Sequence, residues 1–458
     1  MSSYSFSRKP QTVDTVHTEH RIIKTPIPCP GTDAIISELE LYESRSMQGQ
    51  MPIVWDKAEN FSIHDKHGNK WIDFTSTIFV SNVGHGNRNV LNAVKDVLKK
   101  PLLHTYAYVN KERVQYLQKL IKFAGPPFEK AFLLSAGTES TEAALKLMRM
   151  HGQKVGKRRP GIICIEGNWH GRTMGAQMMS SNASQKKWIG YNDPNIHHIQ
   201  FPYPWELKDL KGKELLENEL NKLQQSGIDL EMDVSGFMLE TFQGWGAVFY
   251  PKDFVRAIEE TCKKNNILLT FDEMQSGFGR TGKKFGYEHY EVQADLLCCG
   301  KGMASGFPLS AVIGSQRVMD LPDVGNMSST HSANPIGCAA GMATIEEIER
   351  LDLVQETQRK GRILFDKLNK MKNKYPDRIA CVLGKGLIAA LLFKSPEKQK
   401  PDAVFPSLVS EKAMQKGLLI VHTGRESIKI GPPLTITDDA LLEGIDTLDQ
   451  SIKEALNK

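Results

Sequence analysis

Short apolar runs and amphipathic stretches alternate along the chain from about residue 52 to about residue 335. Apolar runs of four to seven residues bounded by turn residues are typical of buried parallel strands. Seven of them predict strands at residues 130–135, 161–165, 198–201, 236–239, 267–271, 294–299 and 310–313. Stretches with a 3.6-residue period, such as 140–151 and 254–265, predict helices between the strands. The alternation predicts a large α/β domain whose mostly parallel seven-stranded sheet is covered by helices on both faces.

A different pattern follows this region. A long helical pattern extends from Gly337 to about Tyr375, and apolar runs follow at 386–393 and 418–421. We therefore predict an N-terminal extension with a small-domain segment at 1–60, a large domain at 61–336 and a smaller α/β domain at 337–458. Residues 1–21 contain no apolar signal-peptide core, so we expect a poorly ordered extension there.

Composition excludes several classes of protein. The 458 residues are 40% hydrophobic and 24% charged, and 58 basic residues stand against 53 acidic ones without forming a basic block. This scattered excess argues against nucleic-acid binding, and no apolar stretch approaches the roughly 20 residues of a membrane span. The seven cysteines are widely spaced, which predicts reduced thiols in a cytoplasmic protein and no metal site.

Two of the predicted strands end beside a charged residue. One apolar run stops at Asp272 and the other, after Gly300, at Lys301. Parallel strands deliver their last residues to the carboxyl edge of the sheet, where open α/β folds bind ligands. An acid and an amine at that edge either form a simple ion pair or hold a cofactor between them.

Three loops carry further candidate chemistry. Ser135-Ala-Gly-Thr-Glu leads from a strand into a helix, and backbone N–H groups at a helix start suit a phosphate. Trp169-His-Gly-Arg-Thr offers an aromatic ring for stacking and a guanidinium for a carboxylate. Phe271-Asp-Glu-Met-Gln-Ser-Gly-Phe-Gly-Arg-Thr-Gly contains more glycine than an ordinary connection between a strand and a helix. Taken singly, each loop is also compatible with a purely structural role.

Together with Glu240-Thr-Phe-Gln-Gly, Gly300-Lys-Gly, Ser329-Thr before Asn334-Pro, and Gly431-Pro-Pro-Leu, these motifs resemble the class III (ω-type) aminotransferases. Members of that family are pyridoxal-phosphate enzymes of fold type I. The resemblance extends from about residue 69 to about residue 436, and the motifs occur in the family's order.

The resemblance implies pyridoxal 5′-phosphate as cofactor and assigns roles to the motif residues. Lys301 would condense with the cofactor aldehyde and later act as general base, and Asp272 would keep the ring nitrogen protonated. His170 is as consistent with packing as with proton transfer, and it receives no catalytic role. The implied cofactor contacts are Ala136, Gly137, Thr138, Trp169, Glu240, Asp272, Gln275, Lys301 and Thr330. Thr330 would come from the neighbouring subunit, which implies a homodimer with shared active sites, with a tetramer as the alternative.

Substrate residues depart from the best-known branches of the family. Arg172 matches the arginine that holds a substrate carboxylate in the ornithine and 4-aminobutyrate enzymes. Those branches usually have a glutamate and an arginine where this chain has Trp245 and Lys429, and a lysine lacks the planar fork that grips a carboxylate with two bonds. Arg425 offers a replacement guanidinium. The predicted substrate contacts are Phe79, Tyr106, Tyr108, Arg172, Trp245, Arg425 and Lys429.

The sequence therefore predicts an enzyme, a pyridoxal-phosphate-dependent transaminase. It would move an amino group from an ω-amine or a non-α amino acid to a 2-oxo acid, pyruvate or 2-oxoglutarate, in a ping-pong reaction. A lyase, mutase or epimerase on the same fold is the alternative. A binding protein without activity is disfavoured because Lys301, Asp272 and the phosphate loop are all present.

Overall fold

The computed structural model describes residues 4–49, 51–207 and 210–457, and these form two compact units. Unit 1 comprises the described residues of Met1–Asn87, Trp245–Ala247 and Gln355–Lys458. Unit 2 comprises those of Arg88–Gly244 and Val248–Val354. These bounds lie apart from the predicted boundaries near 60 and 336, since Lys70–Asp73 pairs with Leu418–Leu419 in unit 1 and the helix Pro335–Arg350 packs on Arg88–Leu98 in unit 2.

Nineteen strands lie within the described residues. In chain order they are β1 (Val16–His17), β2 (Ile22–Ile23), β3 (Lys57–Glu59), β4 (Ser62–His64), β5 (Lys70–Asp73), β6 (Lys130–Leu134), β7 (Gly161–Ile165), β8 (Ile196–Ile199), β9 (Val234–Glu240), β10 (Phe242–Gln243), β11 (Val248–Phe249), β12 (Leu268–Asp272), β13 (Leu296–Cys299), β14 (Ser310–Gly314), β15 (Ile379–Lys385), β16 (Ile388–Phe393), β17 (Leu418–Leu419), β18 (Val421–His422) and β19 (Ser427–Ile430).

The same residues contain fifteen α-helical segments, besides four short 3₁₀ turns. They are α1 (Thr32–Tyr42), α2 (Ser76–Phe79), α3 (Arg88–Leu98), α4 (Lys111–Ala124), α5 (Gly137–Lys154), α6 (Met174–Met179), α7 (Ala183–Lys186), α8 (Gly212–Gln225), α9 (Leu230–Asp233), α10 (Lys252–Lys264), α11 (Gln316–Met319), α12 (Pro335–Arg350), α13 (Leu353–Lys374), α14 (Phe405–Gln415) and α15 (Asp438–Leu456). None of these helices, as far as the chain is described, is long and apolar enough to cross a bilayer.

Unit 2 is built on a seven-stranded sheet with the strand order β6-β14-β13-β12-β9-β7-β8. Strand β14 is antiparallel to both neighbours and the other pairings are parallel, which confirms the predicted architecture. All seven predicted strands are present, with ends shifted by up to two residues. Helix α5 packs on this sheet through fully buried side chains such as Leu147 and Met148. This buried core holds in place the strands at whose carboxyl ends Asp272 and Lys301 lie.

Unit 1 contains two smaller sheets. Strands β1-β2-β5-β4-β3 form one of them, with β17 added in parallel to β5, and β15-β16-β19-β18 form the other. Trp71 lies fully buried in the first sheet and donates its indole N–H to the Met414 carbonyl at 2.8 Å. Residues 1–3 of the expected poorly ordered extension lie outside the described residues, but residues 4–21 contain a defined strand, β1, contrary to that expectation. Strands β1 and β2 pair with each other and join β5, because Ile23 and Ile27 bury their side chains there.

Candidate active site

Asp272 and Lys301 follow adjacent parallel strands of unit 2, as the sequence predicts. Asp272 is the last residue of β12, and Lys301 begins a short 3₁₀ turn, Lys301–Met303, just after β13. Lys301 has φ +46°, a left-handed conformation that costs of order 1–3 kcal/mol in a non-glycine residue and that concentrates at functional sites. The sheet therefore holds the lysine in a strained turn next to the aspartate's strand.

Asp272 pairs with a histidine that the sequence interpretation left unassigned. Its Oδ2 lies 2.9 Å from His170 Nδ1, and both side chains are almost fully buried. His170 Nε2 is buried and has no hydrogen-bond partner among the described residues. Across that part of the chain, no ion pair involves Lys301, so the simple Asp272–Lys301 ion pair is not formed. The position of His170 in the Trp169-His-Gly-Arg-Thr motif was the signal available in the sequence.

Burial and neighbouring charges shift two pKa values at this edge. Burial lowers the pKa of the Lys301 amine, and the Asp272 and Glu240 carboxylates oppose that shift. Burial, reinforced by the Asp272 charge, raises the pKa of Glu240 to about 7. A lysine with a lowered pKa is closer to the neutral form in which an amine is nucleophilic and basic.

The predicted phosphate loop lies at the start of α5. Glu139 accepts hydrogen bonds from the Ser135 and Ala136 N–H groups at 2.8 and 2.7 Å, which fixes the loop ahead of the helix. A Cβ on Gly137 would lie 2.8 Å from Met274 Sδ, so a larger residue there would have to displace the Met274 side chain. Thr138 Oγ1 is 2.7 Å from Thr173 Oγ1, so the phosphate loop and the Trp169 loop meet at their hydroxyl groups. First-turn N–H groups and hydroxyls of this kind suit an anion.

Trp169 and Arg172 interact with each other. The Arg172 guanidinium carbon lies 4.6 Å from the centre of the Trp169 ring, and the arginine is exposed. Trp169 donates its backbone N–H to Glu240 at 3.1 Å. Glu240 also accepts from Gln275 Nε2 at 3.3 Å, so three of the predicted cofactor contacts form one connected group in unit 2.

Tyr106, Tyr108 and Thr330 lie on two neighbouring surface loops of unit 2. His104 Nε2 bonds to the Thr330 carbonyl at 2.6 Å, and Asn334 donates to the Leu103 carbonyl at 2.7 Å. The side chains of Tyr106 and Tyr108 are exposed, the latter to 81%. The structure thus brings these three predicted residues to one region, on the surface of the unit.

Phe79 ends a left-handed turn in unit 1. Residues 76–79 have φ between +45° and +69°, and Ser76 Oγ donates to the Gly431 carbonyl at 2.7 Å. Phe79 is buried, and its ring occupies the place where a Cβ on Gly431 would lie, 2.2 Å from the nearest ring carbon. The absence of a side chain at Gly431 therefore allows the aromatic ring to reach β19.

The other predicted substrate residues of unit 1 form cation–aromatic pairs. Lys429, buried on β19, holds its ammonium 4.6 Å from the centre of the Phe79 ring. The Arg425 guanidinium lies 3.9 Å from the centre of the Trp245 ring. Ser427, on the same face of β19 as Lys429, donates to the Trp245 carbonyl at 2.9 Å. Four of the predicted substrate residues, Phe79, Trp245, Arg425 and Lys429, are therefore grouped around the β18–β19 hairpin.

The aminotransferase class-III family profile matches residues 44–452. The chain is 31% identical to the mitochondrial acetylornithine aminotransferase of Candida glabrata, over 92% of this chain and 96% of that protein. It is 30% identical to the 4-aminobutyrate aminotransferase of Mycobacterium leprae, with coverage of 94% and 98%. It is also 31% identical to the ornithine aminotransferase of Brevibacillus brevis, with coverage of 92% and 98%.

Solved structures give the same result for the fold. The ornithine aminotransferase of Toxoplasma gondii matches with a TM-score of 0.82 and 26% identity, over 95% of this chain and 96% of that one. Another structure of that enzyme is described as having pyridoxal phosphate at the active site in partial occupancy. An aminotransferase of Bacillus anthracis matches with a TM-score of 0.84 at 24% identity, a likeness that concerns the fold alone.

Proposed function

The chain belongs to the class III aminotransferases, and we propose that it moves an amino group from an ω-amine or a non-α amino acid to a 2-oxo acid in a ping-pong reaction. Membership makes it a pyridoxal-phosphate-dependent enzyme. The observation that carries the proposal is the arrangement of Lys301 and Asp272 on adjacent strand ends without an ion pair between them.

The residues of unit 2 fit pyridoxal phosphate. The Lys301 amine makes no ion pair with a carboxylate of the described chain, and the buried Asp272 carboxylate is supported by His170, which has a second ring nitrogen without a partner there. Gly137 and Thr138 open the first turn of α5, where a phosphate group is stabilised. When bound, the cofactor supplies a reactive aldehyde and a ring that accepts electrons.

The protein's own groups provide charge and proton transfer. Asp272 would present its negative charge to the ring nitrogen, and His170 would fix the direction of that carboxylate. The lowered pKa of Lys301 suits an amine that takes a proton from substrate carbon and returns it. Trp169, with Arg172 on its ring, would provide an aromatic surface for the cofactor.

Substrate selection would depend on the cation–aromatic pairs of unit 1. Lys429 offers a single ammonium charge, held over Phe79, where the family's common branches are expected to offer an arginine. Arg425 supplies a guanidinium beside Trp245. We propose that these cations bind the carboxylate of the 2-oxo acid, with pyruvate and 2-oxoglutarate as the candidates, and that the aromatic rings favour a donor with an apolar or compact tail.

The lyase, mutase or epimerase alternative gains no support from the relatives described above, since each of them is named an aminotransferase. A direct measurement separates the two. We expect an amine donor added without a keto acid to convert the bound cofactor to its amino form in one turnover, whereas a lyase would release ammonia or phosphate from a single substrate.

We also propose that the enzyme is a homodimer. Leu103, Tyr106, Tyr108 and Val109 expose apolar side chains close to the Thr330 loop, and such a surface is typical of an interface. Sedimentation of wild type and of Tyr108→Glu tests this proposal. We expect a dimer for wild type and a shift to monomer for the variant, whereas a monomeric wild type contradicts it.

The proposed compartment is the cytoplasm, which accords with seven cysteines that form no disulfide. One relative is a mitochondrial protein, so organelle fractionation is the appropriate test.

The experiment that tests the enzymatic proposal combines one variant with a donor screen. Lys301→Ala should abolish both transamination and the visible absorbance of covalently attached cofactor, while Lys360→Ala, at a buried lysine of unit 1, should retain them. Amine donors are then screened with pyruvate and with 2-oxoglutarate. An unchanged spectrum in Lys301→Ala would contradict the proposal.

A further inference from the structure

Glu240 connects three separate loops at the carboxyl edge of the unit 2 sheet. It is the last residue of β9 and only 5% exposed. Its Oε2 accepts hydrogen bonds from the backbone N–H groups of Trp169 at 3.1 Å and Gly244 at 3.2 Å. Its Oε1 accepts from Gln275 Nε2 at 3.3 Å. One carboxyl group thus receives three N–H donors from the loops that follow β7, β10 and β12.

A side chain at Gly244 would displace the groups that pack around this carboxyl group. A Cβ on Gly244 would lie 2.8 Å from Glu240 Oε1 and 2.3 Å from Gln275 Nε2. The glycine therefore permits the close approach of its own loop to the other two. The three loops are held together by their hydrogen bonds to Glu240. The absence of a side chain at Gly244 allows them to approach one another.

Several titratable groups face Glu240. Asp272 is its register partner on the neighbouring strand, and His170, Lys301 and Tyr250 act on its charge or respond to it. Three N–H donors favour the ionised carboxylate, whereas burial and Asp272 raise its pKa to about 7. The hydrogen bonds therefore hold the Glu240 carboxyl group in a position where burial and the Asp272 charge disfavour its ionised form.

We propose that Glu240 is a positioning residue of this aminotransferase, whose carboxyl group holds the Trp169 and Gln275 loops in the arrangement that receives the cofactor. The inference rests on the proposed function, because it takes the roles of Trp169 and Gln275 from that proposal. In place of the predicted direct contact with the cofactor, Glu240 would act on cofactor binding through Trp169 and Gln275. Substrate is not among the groups that Glu240 would touch.

The test measures cofactor affinity in Glu240→Ala and Glu240→Gln. Apoprotein of each is titrated with pyridoxal phosphate and followed by tryptophan fluorescence and by visible circular dichroism. Alanine removes the carboxyl group that accepts from these three N–H groups and no longer joins their loops, so we expect about a tenfold or greater loss of affinity and a reduced dichroic signal. Glutamine retains one oxygen for Trp169 and Gly244, and a rotated Gln275 amide supplies the other bond, so we expect an affinity within about threefold of wild type.

Glu219→Ala is the matched control. Glu219 is also a buried glutamate of unit 2 that accepts a backbone N–H, from Gln200 at 2.9 Å, but it lies outside the predicted site. We expect normal cofactor affinity in this variant. In steady-state assays, Glu240→Ala should lower kcat more than it raises the KM of the amine donor, as expected for a residue that does not touch substrate.

Gly244→Ala gives a second route to the same conclusion if Glu240→Ala fails to fold. Its Cβ would separate Glu240 from Gln275, so affinity should fall as in Glu240→Ala. Unchanged affinity and dichroism in a folded Glu240→Ala or Gly244→Ala overturn the inference. Equal losses in Glu240→Ala and Glu240→Gln overturn it in favour of a role for the charge itself. A wild type that binds no cofactor overturns the proposed function as well.

Discussion

The candidate cofactor residues of unit 2 and the candidate substrate residues of unit 1 are positioned by different kinds of backbone. In unit 2, Asp272 and Glu240 end adjacent parallel strands and are register partners. In unit 1, Phe79 ends a left-handed turn and Lys429 lies on a short strand beside a hairpin loop. A sheet edge fixes its residues by the hydrogen bonds of many neighbouring strands, whereas the left-handed turn depends on a few local contacts. Unit 1 is therefore the region where small changes should redirect specificity.

Removing the Asp272 charge should have the largest effect, because it acts at the well-ordered sheet edge. In Asp272→Asn we expect kcat/KM to fall about 10²- to 10³-fold, since the neutral amide would no longer present a negative charge to the ring nitrogen, and loss of one electrostatic contact to a reacting group costs about 2.7–4 kcal/mol. Asp295→Asn is the control, because Asp295 accepts the Leu269 N–H at 2.9 Å at the opposite end of the same strands. If steady-state kinetics show equal losses of kcat/KM in the two variants, the carboxyl edge of the sheet is not the cofactor site.

A Gly431→Ala substitution tests the packing of unit 1 around Phe79 and should have the next largest effect. In Gly431→Ala, the new Cβ would meet the Phe79 ring at 2.2 Å, and we expect a loss of about 1–3 kcal/mol in the free energy of unfolding. The KM of the amine donor should change more than kcat. Urea unfolding of Gly431→Ala combined with Phe79→Leu provides the control, because the smaller side chain should restore most of the lost stability. Independent, additive losses would show that the two residues do not interact.

Glycine at Ile78 should reveal strain in the left-handed turn. Ile78 has φ +62° and is 47% exposed, so glycine removes a backbone cost of about 1–2 kcal/mol while losing little burial. Glycine's extra unfolded-state freedom offsets part of that gain, and we expect Ile78→Gly to be neutral or up to about 1 kcal/mol more stable. Ile35→Gly is the matched control, since Ile35 is 52% exposed in the right-handed helix α1 and should lose about 1 kcal/mol. Thermal melts that show equal destabilisation would exclude strain.

The pH dependence of stability should give the smallest effect, and it concerns unit 2. The pKa of Glu240 is raised from 4.5 to about 7, so this group's contribution to stability is fully present below pH 4.5 and is lost as the pH rises through about 7. We expect apoprotein stability to fall less across this range in Glu240→Gln than in wild type. Melting temperatures at pH 5 and pH 8 measure the difference. Parallel pH profiles would mean that Glu240 is already ionised at the lower pH.

The sequence predicted the unit 2 sheet well because its strands are buried on both faces. Continuous apolar runs such as those of β12 and β13 leave few alternatives in such a fold, and the charged residues at their ends are Asp272 and Lys301. The Asp272–His170 pair could not be predicted in this way. Its partners are 102 residues apart, and a histidine inside a motif is equally compatible with packing.

Unit 1 was harder to predict for a related reason. Its strands are short, its segments come from three parts of the chain, and Ser76, Thr77 and Ile78 carry no signal for a left-handed turn. The turn exists because tertiary contacts, such as the Ser76 hydrogen bond to Gly431, outweigh the local preference of these residues. Similarly, residues 4–21 are mostly polar, and β1 acquires a defined place only by pairing with β2, which in turn pairs with β5.

By itself, the sequence determined the strands of the unit 2 sheet, the motifs of the class III family and the identity of the amine and acid at the sheet edge. The tertiary structure decided which groups pair: His170 with Asp272, Trp169 and Gln275 with Glu240, and Lys429 with Phe79. The physical reason is that local propensity and burial periodicity are properties of neighbouring residues, whereas these contacts join residues far apart in the chain. Their partners become apparent only when the folded chain brings them together.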